Sequence, residues 1–147
     1  MRSRTSQWYE CTCQYEKTME NGQQKKVKET NAVEALSFTE AETRFIKEME
    51  DFVNGDFDVT AIRIAPYSEV FFNDEDERAD RWYKVKLDFI TFNEKTNSEK
   101  REKVIYLFQA GSFEQAKISV VEEMSKSMVD YEIVKIEETK LWFVFEH

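Results

Sequence analysis

The chain has 147 residues, of which 41% are hydrophobic and 14% aromatic, and its formal net charge is -9. This size and composition are typical of one domain with a hydrophobic core, and the acidic balance opposes non-specific binding to duplex nucleic acid, whose affinity comes from neutralised phosphates. No run approaches the roughly 18 apolar residues of a membrane span, and the opening residues lack the apolar stretch of a signal peptide, so we expect a cytoplasmic protein.

The first predicted elements are two strands joined by a tight turn. From Tyr9 to Tyr15 apolar side chains alternate with polar ones, which is the period of a half-buried strand. The pair Asn21-Gly22 supplies the positive φ angles of a hairpin turn. We expect the chain to return as a strand at about residues 25–33.

A helix is predicted next, behind a capping signal. Ser37 with Glu40 fits the capping box, in which the Ser oxygen accepts a backbone N–H. An apolar stripe with helical spacing runs from Ala41 to Val53 and includes Phe52, and Asn54-Gly55 is a natural stop. An extended run near 57–64 and an apolar segment at 70–72 follow.

The same series of elements then occurs a second time. Residues 73–81 are polar and lack any apolar period, so they predict an exposed connector. After it we expect strands from Trp82 and at about 101–108, and a helix behind Ser112, which has Gln115 at the box position and Val121 and Met128 on its apolar stripe. An extended run at 131–136 and an apolar segment at 141–145 complete the series.

The two series match position by position. Trp8 and Trp82 lie 74 positions apart, Ser37 and Ser112 lie 75 apart, and Phe71 and Phe145 lie 74 apart. A drift of one residue is what tolerated loop insertions produce. We therefore predict an internal duplication, with repeats 7–72 and 82–147 inside a single domain, 1–147.

The predicted order β-β-α-β, written twice, indicates the α+β class. Hairpins are antiparallel, and one helix per repeat can cover only one face of a sheet. We expect one or two antiparallel sheets with both helices packed on one face, and pseudo-two-fold symmetry between the repeats.

Cys11 and Cys13 are the first candidates for chemistry, because paired thiols can bind zinc or exchange disulfides. They align with Val85 and Leu87, which are core positions of the second repeat, and the sequence holds no other cysteine and one histidine, His147. Two residues apart on one strand, they are too distant for an unstrained disulfide. We predict buried, reduced, structural cysteines.

The acidic run Asp74-Glu75-Asp76-Glu77 is the second candidate, because clustered carboxylates can hold Mg²⁺ or Ca²⁺. It lacks the glycine and ligand spacing of a calcium loop, so a solvated connector is the preferred interpretation. Only three glycines and one proline leave little room for a phosphate-binding loop. We predict no catalytic residue, no metal, no cofactor and no enzyme.

The third candidate is an aromatic and basic stripe on the strand face opposite the core. Its members are Trp82, Lys84, Lys86, Ile90 and Phe92, with Lys100, Arg101 and Lys103 beside them. Aromatic side chains beside lysines bind single-stranded nucleic acid, and the second repeat has 10 basic against 12 acidic residues. The plainer alternative is that Trp8 and Trp82 pack the two halves or a second subunit together.

Five segments of the chain carry a resemblance to known sequences: Trp8-Tyr9-Glu10-Cys11, Ala35-Leu36-Ser37-Phe38-Thr39-Glu40-Ala41-Glu42, Val59-Thr60-Ala61-Ile62, Tyr67-Ser68-Glu69-Val70-Phe71-Phe72 and Arg81-Trp82-Tyr83-Lys84-Val85-Lys86. These segments resemble an uncharacterised domain-of-unknown-function family of small proteins from gut Bacteroidetes and their phages. The resemblance runs from Trp8 to about Phe145. It implies a small soluble protein carried by a phage or mobile element, and it transfers no catalytic residue.

The preferred hypothesis is a non-enzymatic interaction module that engages a protein partner or a second copy through a sheet face or edge. It predicts that Trp8 or Trp82 is exposed on a single chain and covered in an assembly, and burial of both indoles within one chain would count against it. The alternative is single-stranded nucleic-acid binding on the stripe of the second repeat, and neither hypothesis involves a membrane. The candidate binding residues are Trp8, Trp82, Lys84, Lys86, Phe92, Arg101 and Lys103.

Overall fold

The computed structural model describes residues 1–147 as nine strands and two helices, which confirms the α+β class. The elements are β1 Arg2–Thr5, β2 Trp8–Thr18, β3 Gln24–Glu34, α1 Phe38–Glu50, β4 Phe57–Ile64, β5 Glu69–Phe72, β6 Arg81–Asn93, β7 Ser98–Ala110, α2 Phe113–Ser125, β8 Asp130–Glu138 and β9 Val144–Phe145. The chain divides into two compact units. We call residues 6–66 with 140–147 the first unit, and residues 1–5 with 67–139 the second unit.

The first unit is a four-stranded sheet with one helix. The strand order is β4-β2-β3-β9, and the β2–β3 hairpin turns at Gly22, whose φ is 83°. Cys11 and Cys13 of β2 pack with Phe45 and Met49 of α1 in the buried core. The alternation along β2 therefore predicted correctly which side chains face the helix.

The second unit is a five-stranded sheet, also with one helix. The strand order is β1-β5-β7-β6-β8; β1 was not predicted from the sequence. Val85 and Leu87 of β6 pack with Val120 and Met124 of α2. Because side chains alternate along a strand, Trp82 and the other even-numbered residues of β6 lie on the face away from α2.

Both helices begin where the capping signals predict. Ser37 Oγ accepts a hydrogen bond from the backbone N–H of Glu40 at 3.1 Å, and Ser112 Oγ accepts one from that of Gln115 at 3.2 Å. Each bond satisfies a backbone donor that has no partner within the helix.

The first helix ends earlier than predicted. It stops at Glu50, and the backbone N–H of Phe52 donates to the carbonyl of Met49 at 3.1 Å. This bond tightens the last turn. The side chain of Phe52 is 55% exposed, so its assignment to the apolar stripe that faces the core is wrong. In the second repeat, Val121 on α2 is 45% exposed, and Met128, which follows the end of α2, is fully exposed. Neither residue belongs to the apolar stripe that faces the core.

The two sheets each have a bulge on an outermost strand. The register of β4 against β2 skips Thr60, and the register of β8 against β6 skips Val134, 74 positions later. Bulges twist an edge strand and oppose its pairing with another chain. Edge-to-edge assembly through β4 or β8 is therefore disfavoured.

Two strand pairs are parallel, which corrects the all-antiparallel expectation. β9 lies parallel to β3, with Phe145 opposite Val33, and β5 lies parallel to β7, with Phe71 opposite Phe108. β5 is the last strand of the first predicted repeat but lies in the sheet that contains the β6–β7 hairpin of the second. β9 is the last strand of the second predicted repeat but lies in the sheet that contains the β2–β3 hairpin of the first. We call β5 and β9 the closing strands. A strand that does not arrive through a hairpin is free to pair in parallel.

The closing strands make the compact units differ from the predicted repeats. Residues 67–72 belong to the second unit and residues 140–147 to the first, whereas the repeats were drawn at 7–72 and 82–147. The origin by duplication and the single domain stay predictions.

Candidate functional site

The two tryptophans that begin the matching series, Trp8 and Trp82, are buried, with 1% and 5% of their surface exposed. The expectation that one of these indoles is exposed on a single chain is therefore wrong. The ring of Trp82 meets that of Phe72 edge-on at 5.6 Å. The backbone carbonyl of Trp8 accepts a hydrogen bond from the N–H of Ala65, and that of Trp82 accepts one from the N–H of Thr139, both at 2.8 Å. Neither indole offers a stacking surface to a ligand.

Lys84 of the predicted stripe is held in an ion pair. Its Nζ lies 3.0 Å from Oε1 of Glu137, whose Oε2 lies 3.0 Å from Nζ of Lys135. Hydrogen bonds from Lys135 and Lys84 lower the pKa of Glu137 to about 2. Lys86 lies opposite Lys135 in the strand register. A phosphate that binds Lys84 has to displace a carboxylate that is already in place.

Arg101 reaches three carboxylates. Its Nη1 lies 2.7 Å from Glu132 and 3.3 Å from Asp88, and its Nε lies 3.3 Å from Glu99. These contacts, the hydrogen bond to Glu132 foremost, raise the pKa of Arg101. Lys103 faces Asp88 across the β6–β7 pair.

Phe92 is the one aromatic member of the stripe that is widely accessible, with 61% of its surface exposed. It lies near the turn of the β6–β7 hairpin, opposite Glu99. The structure thus places the predicted stripe residues on one sheet, but it pairs Lys84 and Arg101 with carboxylates and buries Trp82.

Cys11 and Cys13 are free thiols with 0% of their surface exposed, which confirms the prediction of buried, unbridged cysteines. Burial raises the pKa of Cys11 to about 12 and that of Cys13 to about 11, with smaller contributions from Glu42 and Glu29. Because the thiolate is the reactive form, both groups are inert at neutral pH.

Two carboxylates of the acidic connector are engaged by arginines. Asp74 forms an ion pair with Arg2, and Asp76 Oδ1 accepts hydrogen bonds from the backbone N–H of Arg78 at 3.0 Å and from its Nε at 3.2 Å. Both arginines lower the pKa of their partner. No group of three or more His, Cys, Asp or Glu side chains is arranged to hold a metal ion.

The surface of the first unit carries a cluster of three phenylalanine rings that the sequence did not predict. Phe52 and Phe143 are stacked at 4.7 Å, Phe143 and Phe145 at 5.7 Å, and Phe145 lies 6.3 Å from Phe52. We call these residues the aromatic cluster. Phe52 is 55% and Phe143 37% exposed, and the neighbouring Trp142 is 66% exposed.

A signal for this cluster exists in the comparison of the two repeats. Phe52 corresponds to Ser127 and Phe143 to Glu69, whereas Phe145 corresponds to Phe71. A core position keeps an apolar residue in both repeats, so the two phenylalanines that are replaced by polar residues are the ones to suspect of exposure.

Neither helix is long and apolar enough to cross a membrane. No curated protein and no solved structure matches the chain. The family described as Domain of unknown function (DUF4494) matches residues 7–147, which include every element after β1. The chain therefore belongs to the family Domain of unknown function (DUF4494).

Proposed function

We propose that the chain is a non-enzymatic interaction module that binds a protein partner through the aromatic cluster. The observation that carries this proposal is the stacking of Phe52 on Phe143 at 4.7 Å while 55% and 37% of their surfaces stay exposed. Clustered aromatic side chains are enriched at the energetic centres of protein interfaces. Single exposed apolar residues are normal on protein surfaces, whereas a contiguous exposed apolar patch is typical of an interaction site.

The difference between the two repeats supports a binding role. Each of these two phenylalanines has a polar counterpart in the other repeat, Ser127 for Phe52 and Glu69 for Phe143. The backbone N–H of Ser127 donates to the carbonyl of Met124 at 3.1 Å, as that of Phe52 donates to the carbonyl of Met49. The same local backbone therefore forms with a polar residue. Packing does not require the aromatic rings, which favours selection for contact with a partner.

Charge near the cluster indicates the chemistry of the partner. Glu50 and Asp51 precede Phe52, and Glu146 follows Phe145. Complementary charges at the rim of an interface steer association, so we propose a partner with an apolar centre and a basic rim. In keeping with the resemblance stated above, we further propose a cytoplasmic accessory protein of a phage or mobile element.

Site-specific photocrosslinking tests the proposal. A photoreactive phenylalanine analogue replaces Phe52 in the full chain, expressed in its native host, and the control carries it at Phe113, which is 49% exposed on the second unit. We expect one protein to be crosslinked at position 52 but not at 113, and to be lost when Phe143→Ala is added. The same crosslinks at both positions, or none at 52, would exclude this surface.

Single-stranded nucleic-acid binding is the less favoured alternative. Phe92 is exposed, but Arg101 and Lys84 are already paired with carboxylates. Competition with these ion pairs lowers the free energy that phosphate contacts supply.

A further inference from the structure

We propose that the site along β3 that holds residues 140–147 also accepts the same segment from a second copy of this chain. The inference concerns the closing strand and does not rest on the proposed function. It follows from three observations: how the segment is held, how a corresponding contact recurs in the other unit, and how briefly the segment is paired.

The segment is held mainly through its backbone. The N–H of Trp142 donates to the carbonyl of Thr30 at 3.4 Å, and the carbonyl of Phe143 accepts from the N–H of Ala32 at 3.0 Å. The N–H of Phe143 donates to Oδ1 of Asn31 at 2.9 Å. Backbone pairing at a sheet edge is the mode by which proteins bind extended peptides.

Asn31 is built into this site. It is fully buried, and its Nδ2 donates to Sδ of Met49 at 3.2 Å, which fixes the amide so that its oxygen faces the segment. Phe143 and Phe145 pack against Phe52. The site therefore combines ordered polar groups with an apolar contact, and both are supplied by residues 6–66.

The second unit holds its closing strand by a corresponding backbone contact. The N–H of Ser68 donates to the carbonyl of Ile105 at 3.0 Å, which corresponds to the bond from Trp142 to Thr30. Docking of a closing strand is thus a recurrent arrangement in which the strand and the sheet come from different repeats. Nothing in these contacts requires that both come from the same polypeptide.

The pairing of β9 is short, with two residues in register. When it opens, the segment and the edge of β3 both expose unpaired backbone groups, which is the condition for strand exchange between copies. A segment tethered by a short linker has an effective concentration on the order of 1 mM. At about 100 µM protein, roughly one site in ten is then expected to hold the segment of a second copy.

Disulfide trapping tests the exchange with full-length chains. Ala32 and Val144 are register partners, and the roughly 4.8 Å between neighbouring strands is within the Cα separation that a disulfide spans. We mix the single variants Ala32→Cys and Val144→Cys in a thiol–disulfide buffer. We expect a mixed dimer, with the two cysteines joined, whose yield rises with protein concentration. The native cysteines are buried and add little background.

The control mixes Lys28→Cys with Val144→Cys. Lys28 is exposed on the same strand, four residues from Ala32, or about 13 Å away, so it reports random collision. The double variant Ala32→Cys with Val144→Cys in one chain shows, through its internal disulfide, that the geometry permits the bond. A mixed-dimer yield no higher than that of the Lys28 control overturns the proposal. If the internal disulfide does not form, native mass spectrometry of mixed ¹⁴N and ¹⁵N wild-type chains decides, and the absence of heterodimers at 1 mM overturns it.

Discussion

Glu34 accepts a hydrogen bond at Oε1 from the backbone N–H of His147, at 2.7 Å. At the corresponding position of the second repeat, Oε1 of Gln109 accepts one from the N–H of Asn73 at 2.9 Å. A carboxylate and a carboxamide share only the acceptor oxygen. The common requirement is therefore an acceptor that holds the backbone just beyond each closing strand, and not a charge.

Substitutions at Glu34 distinguish the need for a hydrogen-bond acceptor from the need for a negative charge. We expect Glu34→Gln to change the free energy of unfolding by less than about 0.5 kcal/mol, whereas Glu34→Ala costs roughly 1–2 kcal/mol because the N–H of His147 loses its partner. Urea unfolding measures the difference. Amide hydrogen exchange should speed up at residues 142–147 in the Ala variant only, and an equal loss of stability in both variants would show that the charge matters.

Cleavage of the connector tests the arrangement of the closing strands. A protease site is inserted between Glu75 and Asp76 of the full chain. We expect the two fragments to stay bound to each other after cleavage. In the second unit β5 of one fragment is paired with β7 of the other, and in the first unit β9 is paired with β3. The fragments should elute together by size exclusion in buffer and separate in urea. Separation in buffer alone would contradict the prediction.

The sequence predictions that are confirmed rest on patterns among residues close together in the chain. Ser37 and Ser112 predicted the helix starts because a capping bond depends on residues three positions apart. The alternation through Cys11 and Cys13 predicted their burial because a strand with one covered face has period two.

Long-range pairing could not be predicted in the same way. Phe71 and Phe145 were recognised as apolar ends of the repeats, but nothing in their neighbourhood states which sheet they join. The period also placed Trp8 and Trp82 away from the helices without showing that this side is covered. The carboxylates around Arg101 come from three strands, so its pairing depends on a register that the sequence does not contain.

The carboxylates around Arg101 are predicted to suppress binding of single-stranded nucleic acid. We expect the wild type to show no salt-sensitive binding to a fluorescent oligothymidine. The double variant Glu99→Gln with Glu132→Gln frees most of the guanidinium and should gain binding, with a salt slope of about 0.7 for one phosphate contact. Fluorescence anisotropy at low and high salt measures it.

The control for this charge effect is Glu114→Gln with Glu122→Gln. These residues are exposed on α2, so the control changes the net charge equally without touching Arg101. An equal gain in the control would attribute the effect to net charge. Salt-sensitive binding by the wild type would show that the ion pairs do not suppress it.

The buried thiols make the free energy of unfolding depend on pH once the pH exceeds the ordinary pKa of cysteine. The ordinary pKa is 9.0, and burial raises it to about 12 for Cys11 and about 11 for Cys13. Below pH 9 the folded and the unfolded chain both keep these protons, so the thiols contribute no pH dependence. As pH rises from 9 towards 11, the unfolded chain loses protons that the folded chain retains, and the free energy of unfolding falls.

A comparison with Cys11→Ala plus Cys13→Ala isolates this contribution, because lysines and tyrosines titrate in both proteins. We expect the variant to be less stable at pH 8, since the deletion leaves cavities in the core. Between pH 9 and 10 the wild type should lose up to about 1.4 kcal/mol per thiol and pH unit more than the variant. The urea midpoints of the two proteins should therefore converge as pH rises, and midpoints that stay parallel from pH 8 to 10 would show that the thiols ionise as readily in the folded chain as in the unfolded one.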